Sequence, residues 1–465
     1  MNITIQGLQN VPHVAFYNFE SLDIKRFTGI STDSRSVKPG ELFFAIRGEK
    51  FDGNNFVISA FSNGASCAVV NSKANRSQLM EKPLFVVKDT TRALGYLANI
   101  YRKKFDIPFI AIAGSNGKTT VKEMIAAVLS TQYSVLSTEG NLNNHIGVPQ
   151  TLFRLTRKHN IAVIEVGTNH FGELQCLCEI LNPTHGLITN IGREHLQFFK
   201  TLKGAAKAEG ELFNSPARPG VGFINSDDAL VVAQTKKLKR KINYGFEANS
   251  SQFRGKLLKV NENGCSEFSI ISRKEKEFGI QLSIPGTHAM MNGLAAVAVG
   301  LSFDISKKNI QRSLKNFLGV EKRVEVIKVG TVTILNDTYN ANPDSVVSAL
   351  ETLKSMECKG NRIIILADML ELGDVAKKEH NRIGKMINKM GFEYLLTYGE
   401  MARYINETAN VKIKLHYNQK NMLSEYAAEL LSDGDVVLVK GSRSMKMEDV
   451  VTFLVERLGK RLDRG

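Results

Sequence analysis

The sequence predicts an α/β protein built from three domains. The chain has 465 residues, and because a domain has roughly 150 residues on average, we expect about three domains. Hydrophobic residues make up 43% of the chain and charged residues 23%, which is typical of folded globular proteins. Short apolar runs alternate with helix-compatible segments, which indicates mainly parallel sheets covered by helices.

The first domain is predicted over residues 1–106 as a small N-terminal α/β domain. Apolar runs of strand length lie between turns rich in Gly, Asn and Asp. These runs are residues 41–46, 67–70 and 84–87.

The second domain is predicted over residues 107–320, with a mainly parallel sheet. Its first strand, residues 108–113, leads through a Gly-rich turn into a helix over residues 119–129, whose apolar residues recur at helical spacing. Three more strand–helix units, a region of strand-like alternation and two helices follow. In chain order these segments are residues 161–164, 186–189, 221–224, 253–284, 288–301 and 310–317.

The third domain is predicted over residues 321–465 as a Rossmann-like, doubly wound unit. It repeats the strand–helix theme but lacks a G-x-G-x-x-G turn, so we assign it no dinucleotide. Its predicted strands are residues 331–335, 363–366, 394–397 and 436–439.

Composition excludes several classes of protein. No apolar run approaches the roughly 20 residues that a membrane span needs, and the N-terminus lacks the basic and apolar regions of a signal peptide. We therefore expect a cytoplasmic protein with no membrane partner. The five cysteines lack the paired spacings of a zinc site, and we expect them to be reduced thiols.

The net charge of +15 raises the question of nucleic-acid binding. The basic residues are spread along the chain, apart from a run at residues 236–241 and a tail at residues 457–464, and neither is interleaved with aromatic residues. We interpret them as solvated surface and expect no nucleic-acid partner. A positive field would also concentrate small anionic substrates.

The strongest local motif is a Gly-rich loop between the first strand and helix of the second domain. In this context glycines let backbone N–H groups surround phosphate oxygens, and the helix N-terminus adds positive potential. Lys118 would reach the β- and γ-phosphates and the Thr119 hydroxyl would ligate magnesium. A strict phosphate-loop motif would need Gly where Ile112 stands. The loop consists of Gly114, Ser115, Asn116, Gly117, Lys118, Thr119 and Thr120.

Two further residues lie at the ends of neighbouring strands, where side chains can assist a phosphate loop. Glu165 ends the strand of residues 161–164, and an acid at the carboxyl end of a neighbouring strand can hold the magnesium ion. His195 lies in the loop that follows another apolar strand. Either residue could instead be an ordinary polar side chain at the end of a strand.

These motifs occur together in one known family. The chain resembles the Mur ligases, the ATP-dependent amide-forming enzymes of cytoplasmic peptidoglycan synthesis, over essentially its whole length. The resemblance implies a UDP-sugar-binding N-terminal domain, a central phosphate-loop ATPase domain and a Rossmann-like C-terminal domain. It rests on GSNGKTT at residues 114–120, IEVG at 164–167, TNIGREHL at 189–196, GTHAMMN at 286–292, Lys322-Arg323 and NDTYNANPDS at 336–345.

Within the family, the chain is most similar to members that join D-alanyl-D-alanine to UDP-N-acetylmuramoyl-tripeptide. This resemblance implies an acyl-phosphate intermediate, a pentapeptide product, small-molecule substrates, and ATP and Mg²⁺ as cofactors. We also expect a monomer. The similarity rests on residues 140–149, 339–345, 367–373 and 438–444.

The resemblance also implies roles for single residues. The phosphate loop would bind ATP together with Asn292, Arg323 and Asp337. Catalytic roles fall to Lys118, Glu165, His195 and Glu209, and metal ligation to Thr119, Glu165, His195 and Glu209. The implied substrate-binding residues, which as polar turns and loops could also have no function, are Ser34, Arg35, Asn143, Asn144, Asn340, Asn342, Lys440, Ser442 and Arg443. Asp368 and Glu371 could act in the site or only cap a helix.

Glu209 departs from the family pattern. The family usually has a lysine there, carbamylated so that it offers a carboxylate to a second magnesium ion. Lys207 is two residues away, which on a helix turns it by about 200°. We therefore interpret Glu209 as a direct carboxylate replacement for the modified lysine.

Other functions stay open at this stage. A sister Mur ligase or a folylpolyglutamate synthetase would share the ATPase core, although the full-length first domain with its Asp33-Ser34-Arg35 segment disfavours the folate enzyme. A phosphate-loop NTPase acting on nucleic acid would show salt-sensitive polynucleotide binding. A non-catalytic nucleotide-binding module would leave Glu165 and His195 without a role.

We expect Lys118→Ala to lower turnover at least about a hundredfold, a loss of at least roughly 2.7 kcal/mol of transition-state stabilisation. The reason is that its ammonium neutralises the transferring phosphoryl group. Steady-state phosphate release from ATP measures this effect. Near-normal turnover in the variant would remove the loop from the mechanism.

Overall fold

The computed structural model shows an α/β protein with three large sheets, which confirms the predicted class. None of the helices in the described part of the chain is long and apolar enough to cross a bilayer. The structure describes residues 3–4, 8, 11–12, 14–18, 20, 26–48, 51–74, 79, 81–272 and 276–462.

The N-terminal unit is a five-stranded sheet in the order β2-β7-β6-β5-β4, parallel except for β2, beside a two-stranded sheet of β1 and β3. Asp89 caps helix α2 by accepting hydrogen bonds from the backbone N–H groups of Thr91 and Arg92. The elements are β1 Ile3–Thr4, β2 Ala15–Tyr17, β3 Arg26–Phe27, β4 Ile30–Ser31, β5 Leu42–Phe44, α1 Val57–Ser62, β6 Cys67–Asn71, β7 Leu84–Val87 and α2 Thr90–Arg102.

The central unit is a nine-stranded sheet in the order β16-β15-β14-β13-β12-β11-β8-β10-β9. The strands from β8 to β13 are parallel, and β8 is wholly buried because helices cover both faces of the sheet. The elements are β8 Phe109–Ala113, α3 Lys118–Leu129, β9 Val135–Ser137, α4 Gly147–Phe153, β10 Ile161–Glu165, α5 Glu173–Leu181, β11 His185–Ile188, α6 Leu196–Phe199, α7 Leu202–Glu209, α8 Glu211–Asn214, β12 Val221–Asn225, α9 Ala229–Ala233, β13 Arg240–Gly245, β14 Phe253–Val260, β15 Cys265–Ser272, β16 Phe278–Pro285, α10 Thr287–Ser302 and α11 Lys307–Lys315.

The C-terminal unit is a six-stranded sheet in the order β17-β18-β22-β19-β20-β21, parallel except for β17. Helix α12 begins with Pro at its first position and with a reciprocal cap between Asn342 and Ser345. The elements are β17 Glu325–Val329, β18 Val332–Asp337, α12 Pro343–Ser355, β19 Arg362–Ala367, α13 Ala376–Met390, β20 Tyr394–Tyr398, α14 Arg403–Thr408, β21 Ile413–Tyr417, α15 Lys420–Leu430, β22 Val436–Lys440 and α16 Glu448–Leu462.

The N-terminal unit packs directly on the central unit. One continuous apolar cluster contains Phe85 of the first sheet and Leu177 of α5. The Tyr101 hydroxyl donates to the Leu155 carbonyl over 2.7 Å, and Nε of Arg102 donates to the Leu181 carbonyl over the same distance. These bonds attach the C-terminal end of α2, and with it the N-terminal unit, to the central unit.

Eight strands in the described part of the chain were not predicted from the sequence pattern, namely β1, β2, β3, β4, β9, β13, β17 and β21. All of them except β13 lie at the edge of a sheet. An edge strand is only partly covered, so it carries no continuous apolar run of the kind that marks the buried parallel strands.

We expect Leu438→Ala to destabilise the C-terminal unit by about 2–5 kcal/mol, because it leaves a cavity in the fully buried strand β22. Chemical denaturation followed by near-UV circular dichroism measures the change. The matched control is Leu415→Ala on the edge strand β21, where the side chain is 37% exposed. Equal losses in both variants would contradict the packing described here.

Candidate active site

A cavity of about 1470 Å³ opens at the carboxyl ends of β8, β10 and β11. Ligands of doubly wound sheets bind at this end, where the chain order of the strands reverses. The reversal lies at β8, which has β10 on one side and β11 on the other. Residues of the N-terminal and C-terminal units complete the wall, so ligands bound to each of the three units can lie next to one another in this cavity.

The phosphate loop forms the floor of this cavity, and residues 115–120 line it. Gly117 has a φ of 80° and is the N-cap of α3. A Cβ at Gly117 would lie 2.9 Å from Oδ1 of Asn292, so only glycine fits this turn. The loop thus presents its backbone and the positive N-terminus of α3 to the cavity, which favours a bound phosphate.

Lys118 lies in the loop among acidic side chains. Its ammonium donates to the Gly114 carbonyl and lies 3.6 Å from Oε2 of Glu194. Burial opposes the charged form, but the carboxylates of Glu194, Glu209 and Glu165 outweigh burial and raise the pKa of Lys118. The side chain therefore remains a cation at neutral pH.

Glu165 and Thr119 form a hydrogen-bonded pair beside Lys118. The Thr119 hydroxyl donates to Oε2 of Glu165 over 2.8 Å, and Nδ2 of Asn143 donates to Oε1 over 2.8 Å. The backbone N–H of Glu165 donates to the Thr138 hydroxyl. These bonds fix the Glu165 carboxylate at the end of β10. They place it against the Thr119 hydroxyl, so the two predicted magnesium ligands are in contact.

His195 is the N-cap of α6 and has a left-handed backbone conformation, with a φ of 48°. Its Nδ1 lies 2.5 Å from Oε2 of Glu371, which belongs to the C-terminal unit. The hydrogen bond from His195 lowers the pKa of Glu371. Glu194 lies between Lys118 and His195, with Oε2 3.9 Å from the His195 Nε2.

Glu209 lies behind the phosphate loop, at the end of α7 and not on the cavity wall. Its Oε2 accepts the Gly114 N–H over 2.7 Å, while its buried Oε1 has no hydrogen-bond partner. Burial, and then the neighbouring Glu194, raise the pKa of Glu209 well above its ordinary value. The structure therefore places the Glu209 carboxyl group near Lys118, where it supports the phosphate loop from behind.

The C-terminal unit adds a second group of predicted residues to the wall. The Lys440 ammonium lies 2.6 Å from Oδ2 of Asp337 and donates to the Asn340 carbonyl over 2.8 Å. The Arg323 guanidinium lies 3.8 Å from the centre of the Tyr339 ring. All five residues line the cavity.

Several predicted substrate-binding residues bond to the protein itself. Asn342 caps α12, and its Nδ2 donates to Oδ1 of Asn116 over 2.8 Å. Asn144 accepts hydrogen bonds from two backbone N–H groups at the start of α4. The Ser442 hydroxyl links the Ala341 carbonyl to the Leu370 N–H. Such bonds shape the loops around the cavity.

Four predicted substrate-binding residues do not line the cavity, namely Ser34, Arg35, Ser442 and Arg443. Ser34 is buried, and Arg35 pairs with Asp33 at 2.7 Å while its side chain is 86% exposed. Arg443 pairs with Glu448 at 2.5 Å. The structure does not bring these side chains into the cavity with the phosphate loop.

Asp368 accepts hydrogen bonds from the N–H groups of Met401 and Ala402, so it stabilises a turn. Glu371, in contrast, lines the cavity beside His195. The two acids left open by the sequence therefore have different environments.

The sequence analysis did not single out Glu194, which contacts Lys118, or Lys122, which lies behind the cavity wall. Glu194 is adjacent to His195 in the printed motif, but only the fold shows its contact with Lys118. Lys122 is wholly buried, donates to the Thr138 carbonyl and lies 2.6 Å from Oε1 of Glu123. Its position four residues after Lys118, on the same face of α3, was the available signal.

Models of three domain families match the chain. Residues 26–102 match "Mur ligase family, catalytic domain", residues 112–300 "Mur ligase middle domain", and residues 322–443 "Mur ligase, glutamate ligase domain". The resemblance inferred from the motifs is therefore confirmed.

Characterised relatives are similar over nearly their full length. The UDP-N-acetylmuramoyl-tripeptide–D-alanyl-D-alanine ligase of Bacillus subtilis is 35% identical, over 92% of this chain and 93% of that protein. The Haemophilus influenzae enzyme of the same name is 36% identical, over 92% and 94%. A crystal structure of MurF from Acinetobacter baumannii has a TM-score of 0.89 at 28% identity, covering 98% of this chain and 99% of that one. MurF from Thermotoga maritima in complex with ADP has a TM-score of 0.83 at 25% identity, covering 93% and 98%.

We expect Glu209→Gln to be at least as stable as the parent at pH 7, because Gln keeps an acceptor for the Gly114 N–H and removes a carboxyl group whose charged form is disfavoured by burial. Glu209→Ala leaves that N–H unbonded and should lose about 1–3 kcal/mol. Thermal unfolding compares the two. Glu321→Gln, at a side chain that is 77% exposed, is the control. Marked destabilisation by Glu209→Gln would contradict the raised pKa.

Proposed function

The chain belongs to the Mur ligase family, and from this premise we propose that it joins D-alanyl-D-alanine to UDP-N-acetylmuramoyl-tripeptide with ATP. The product is the UDP-N-acetylmuramoyl-pentapeptide precursor of peptidoglycan. The observation that carries this proposal is similarity over more than nine-tenths of the chain to relatives with that name. The phosphate loop at the meeting point of all three units supports it.

The loop residues suit activation of a carboxylate. A carboxylate does not react with an amine directly because its oxygen is a poor leaving group, so we infer an acyl phosphate of the tripeptide as the intermediate. Lys118 neutralises the charge on the transferring phosphoryl group. Asn292, Arg323 and Asp337, which line the same cavity, orient the nucleotide.

The residues beside Lys118 fit Mg²⁺. Among the residues that the structure describes, no three His, Cys, Asp or Glu side chains form a ready-made metal cage, but Mg²⁺ takes one or two protein carboxylates and keeps water and phosphate ligands. Thr119 and Glu165 would hold one ion, and His195 and Glu209, whose buried Oε1 lacks a partner, a second. When bound, the metal supplies positive charge to the phosphates.

The outer units would hold the two other substrates. Arg47, Lys88 and Arg92 of the N-terminal unit line the cavity, and their charges suit the diphosphate of a UDP-sugar. We keep Ser34 and Arg35 as contacts to the uridine end, outside the cavity. Asn143 and Asn144 would face the tripeptide.

The C-terminal unit would position D-alanyl-D-alanine. Asn340, Asn342 and Lys440 lie on the cavity wall, and Ser442 and Arg443 follow β22. A guanidinium near this loop suits a dipeptide carboxylate.

We also propose the domain limits 1–106, 107–320 and 321–465, a cytoplasmic monomer, and no nucleic-acid or membrane partner. The separate sheets of the three units support these domain limits. The proposed nucleotide-linked substrates support the cytoplasmic location.

The decisive experiment measures phosphate release from ATP with UDP-N-acetylmuramoyl-tripeptide, with and without D-alanyl-D-alanine. The mass of the product is determined by mass spectrometry. We expect release to require both substrates and the product mass to gain one dipeptide. Stimulation by another amine substrate would instead indicate a sister ligase.

Glu209 provides a test of the second magnesium site. Because Glu209→Gln keeps the fold but cannot offer a carboxylate, we expect its turnover to fall at least about tenfold while the parent needs no added bicarbonate. Magnesium titration of both proteins measures the change in half-saturation. Strict bicarbonate dependence of the parent, or full activity of Glu209→Gln, would contradict a role for this carboxylate.

A further inference from the structure

The C-terminal unit contacts the loops around Lys118 at three separate points. Asn342 donates to Asn116 of the phosphate loop over 2.8 Å. Asp344 binds Arg193, and Glu371 lies against His195. Each contact joins a loop of the central unit to a segment of the C-terminal unit.

The contact of Asp344 consists of two bonds to a single residue. Its Oδ2 accepts the backbone N–H of Arg193 over 2.7 Å, and its Oδ1 accepts from the Arg193 guanidinium over 2.9 Å. A Cβ at Gly192 would lie 3.0 Å from the same Oδ2, so the loop backbone passes directly over this carboxylate. Asp344 therefore holds both the main chain and the side chain of one residue.

Arg193 directly precedes the two residues that face Lys118. Glu194 lies 3.6 Å from the Lys118 ammonium, and His195 is held in a left-handed conformation. Because the Cα–Cβ direction of a residue follows its backbone, holding Arg193 restricts the positions from which the side chains of Glu194 and His195 reach the site. Glu371 holds His195 as well. Asp344 itself does not line the cavity.

We propose that Asp344 is a positioning residue that holds the Arg193 loop so that Glu194 and His195 face Lys118. The phosphoryl-transfer site is then completed by the C-terminal unit, which also carries the dipeptide-binding loop. This inference rests on the proposed function, and it assigns a role to a residue that touches no substrate.

A purely structural role would have a different consequence. Asp344 lies in the first turn of α12, where an acid also stabilises the helix. Removing that effect would lower stability and leave turnover unchanged. Turnover and thermal unfolding must therefore be measured together.

The experiment compares the full-length parent with Asp344→Ala, Asp344→Asn, Arg193→Ala and the double variant Asp344→Ala/Arg193→Ala. We expect Asp344→Ala to lower kcat at least about tenfold, because small displacements of reacting groups have large effects on rate. The KM for D-alanyl-D-alanine should stay within about threefold. Asp344→Asn keeps an acceptor for the Arg193 N–H and should lose less activity.

The double variant tests whether the two residues act through each other. If they do, its kcat should be close to that of Asp344→Ala, because Asp344→Ala already removes the side-chain bond that Arg193→Ala removes, together with the bond to the Arg193 N–H. The control is Asp449→Asn, which breaks the Lys420–Asp449 pair of 2.7 Å inside the C-terminal unit. It should keep kcat within about twofold of the parent.

Three results would overturn the proposal: kcat of Asp344→Ala within twofold of the parent, losses in the single variants that multiply in the double variant, or a rise in the KM for D-alanyl-D-alanine alone. Should Asp344→Ala not fold, Asp344→Asn and Arg193→Ala decide by the same criteria. A parent that makes no pentapeptide would instead refute the proposed function.

Discussion

The site depends on one partly buried cation on the cavity wall, the ammonium of Lys118, balanced by three carboxylates. Burying a charge is costly unless opposite charges and hydrogen bonds accompany it. Glu165 ends β10, Glu194 lies in the loop after β11, and Glu209 ends α7, so the compensation requires three distant segments to meet at one loop. Their negative charge raises the pKa of Lys118, while burial, and then Glu194, raise the pKa of Glu209. A bound metal ion and its phosphates would complete this balance of charge.

The topology explains why the meeting point is also open to ligands. Parallel strands place their carboxyl ends on one edge of the sheet, and the reversal of strand order at β8 separates the loops there. The N-terminal and C-terminal units are attached around that edge. A ligase must bring a nucleotide, an activated carboxylate and an amine to one place while limiting water, and a site shared by three units satisfies that need.

The polar residues around the cavity divide into two groups. Lys118, Glu165, His195 and Arg323 present functional groups to the cavity. Asn144, Asn342 and Ser442 instead use their side chains to cap helices and join loops. Residues of the second group decide the shape of the site without needing to touch a substrate. Asp344, at the contact between the central and C-terminal units, extends this principle across two units.

The sequence by itself determined the α/β class, the buried parallel strands, the phosphate loop with Lys118 and Thr119, and the acid Glu165, because these depend on local periodicity and on residues adjacent in the chain. Tertiary structure alone decided that Glu209 supports the loop from behind, that Glu194 contacts Lys118, and that Asp344 holds Arg193. It also placed Ser34 and Arg35 outside the cavity. These contacts join residues far apart in the chain, and no local pattern records which way such side chains point once the sheets are packed.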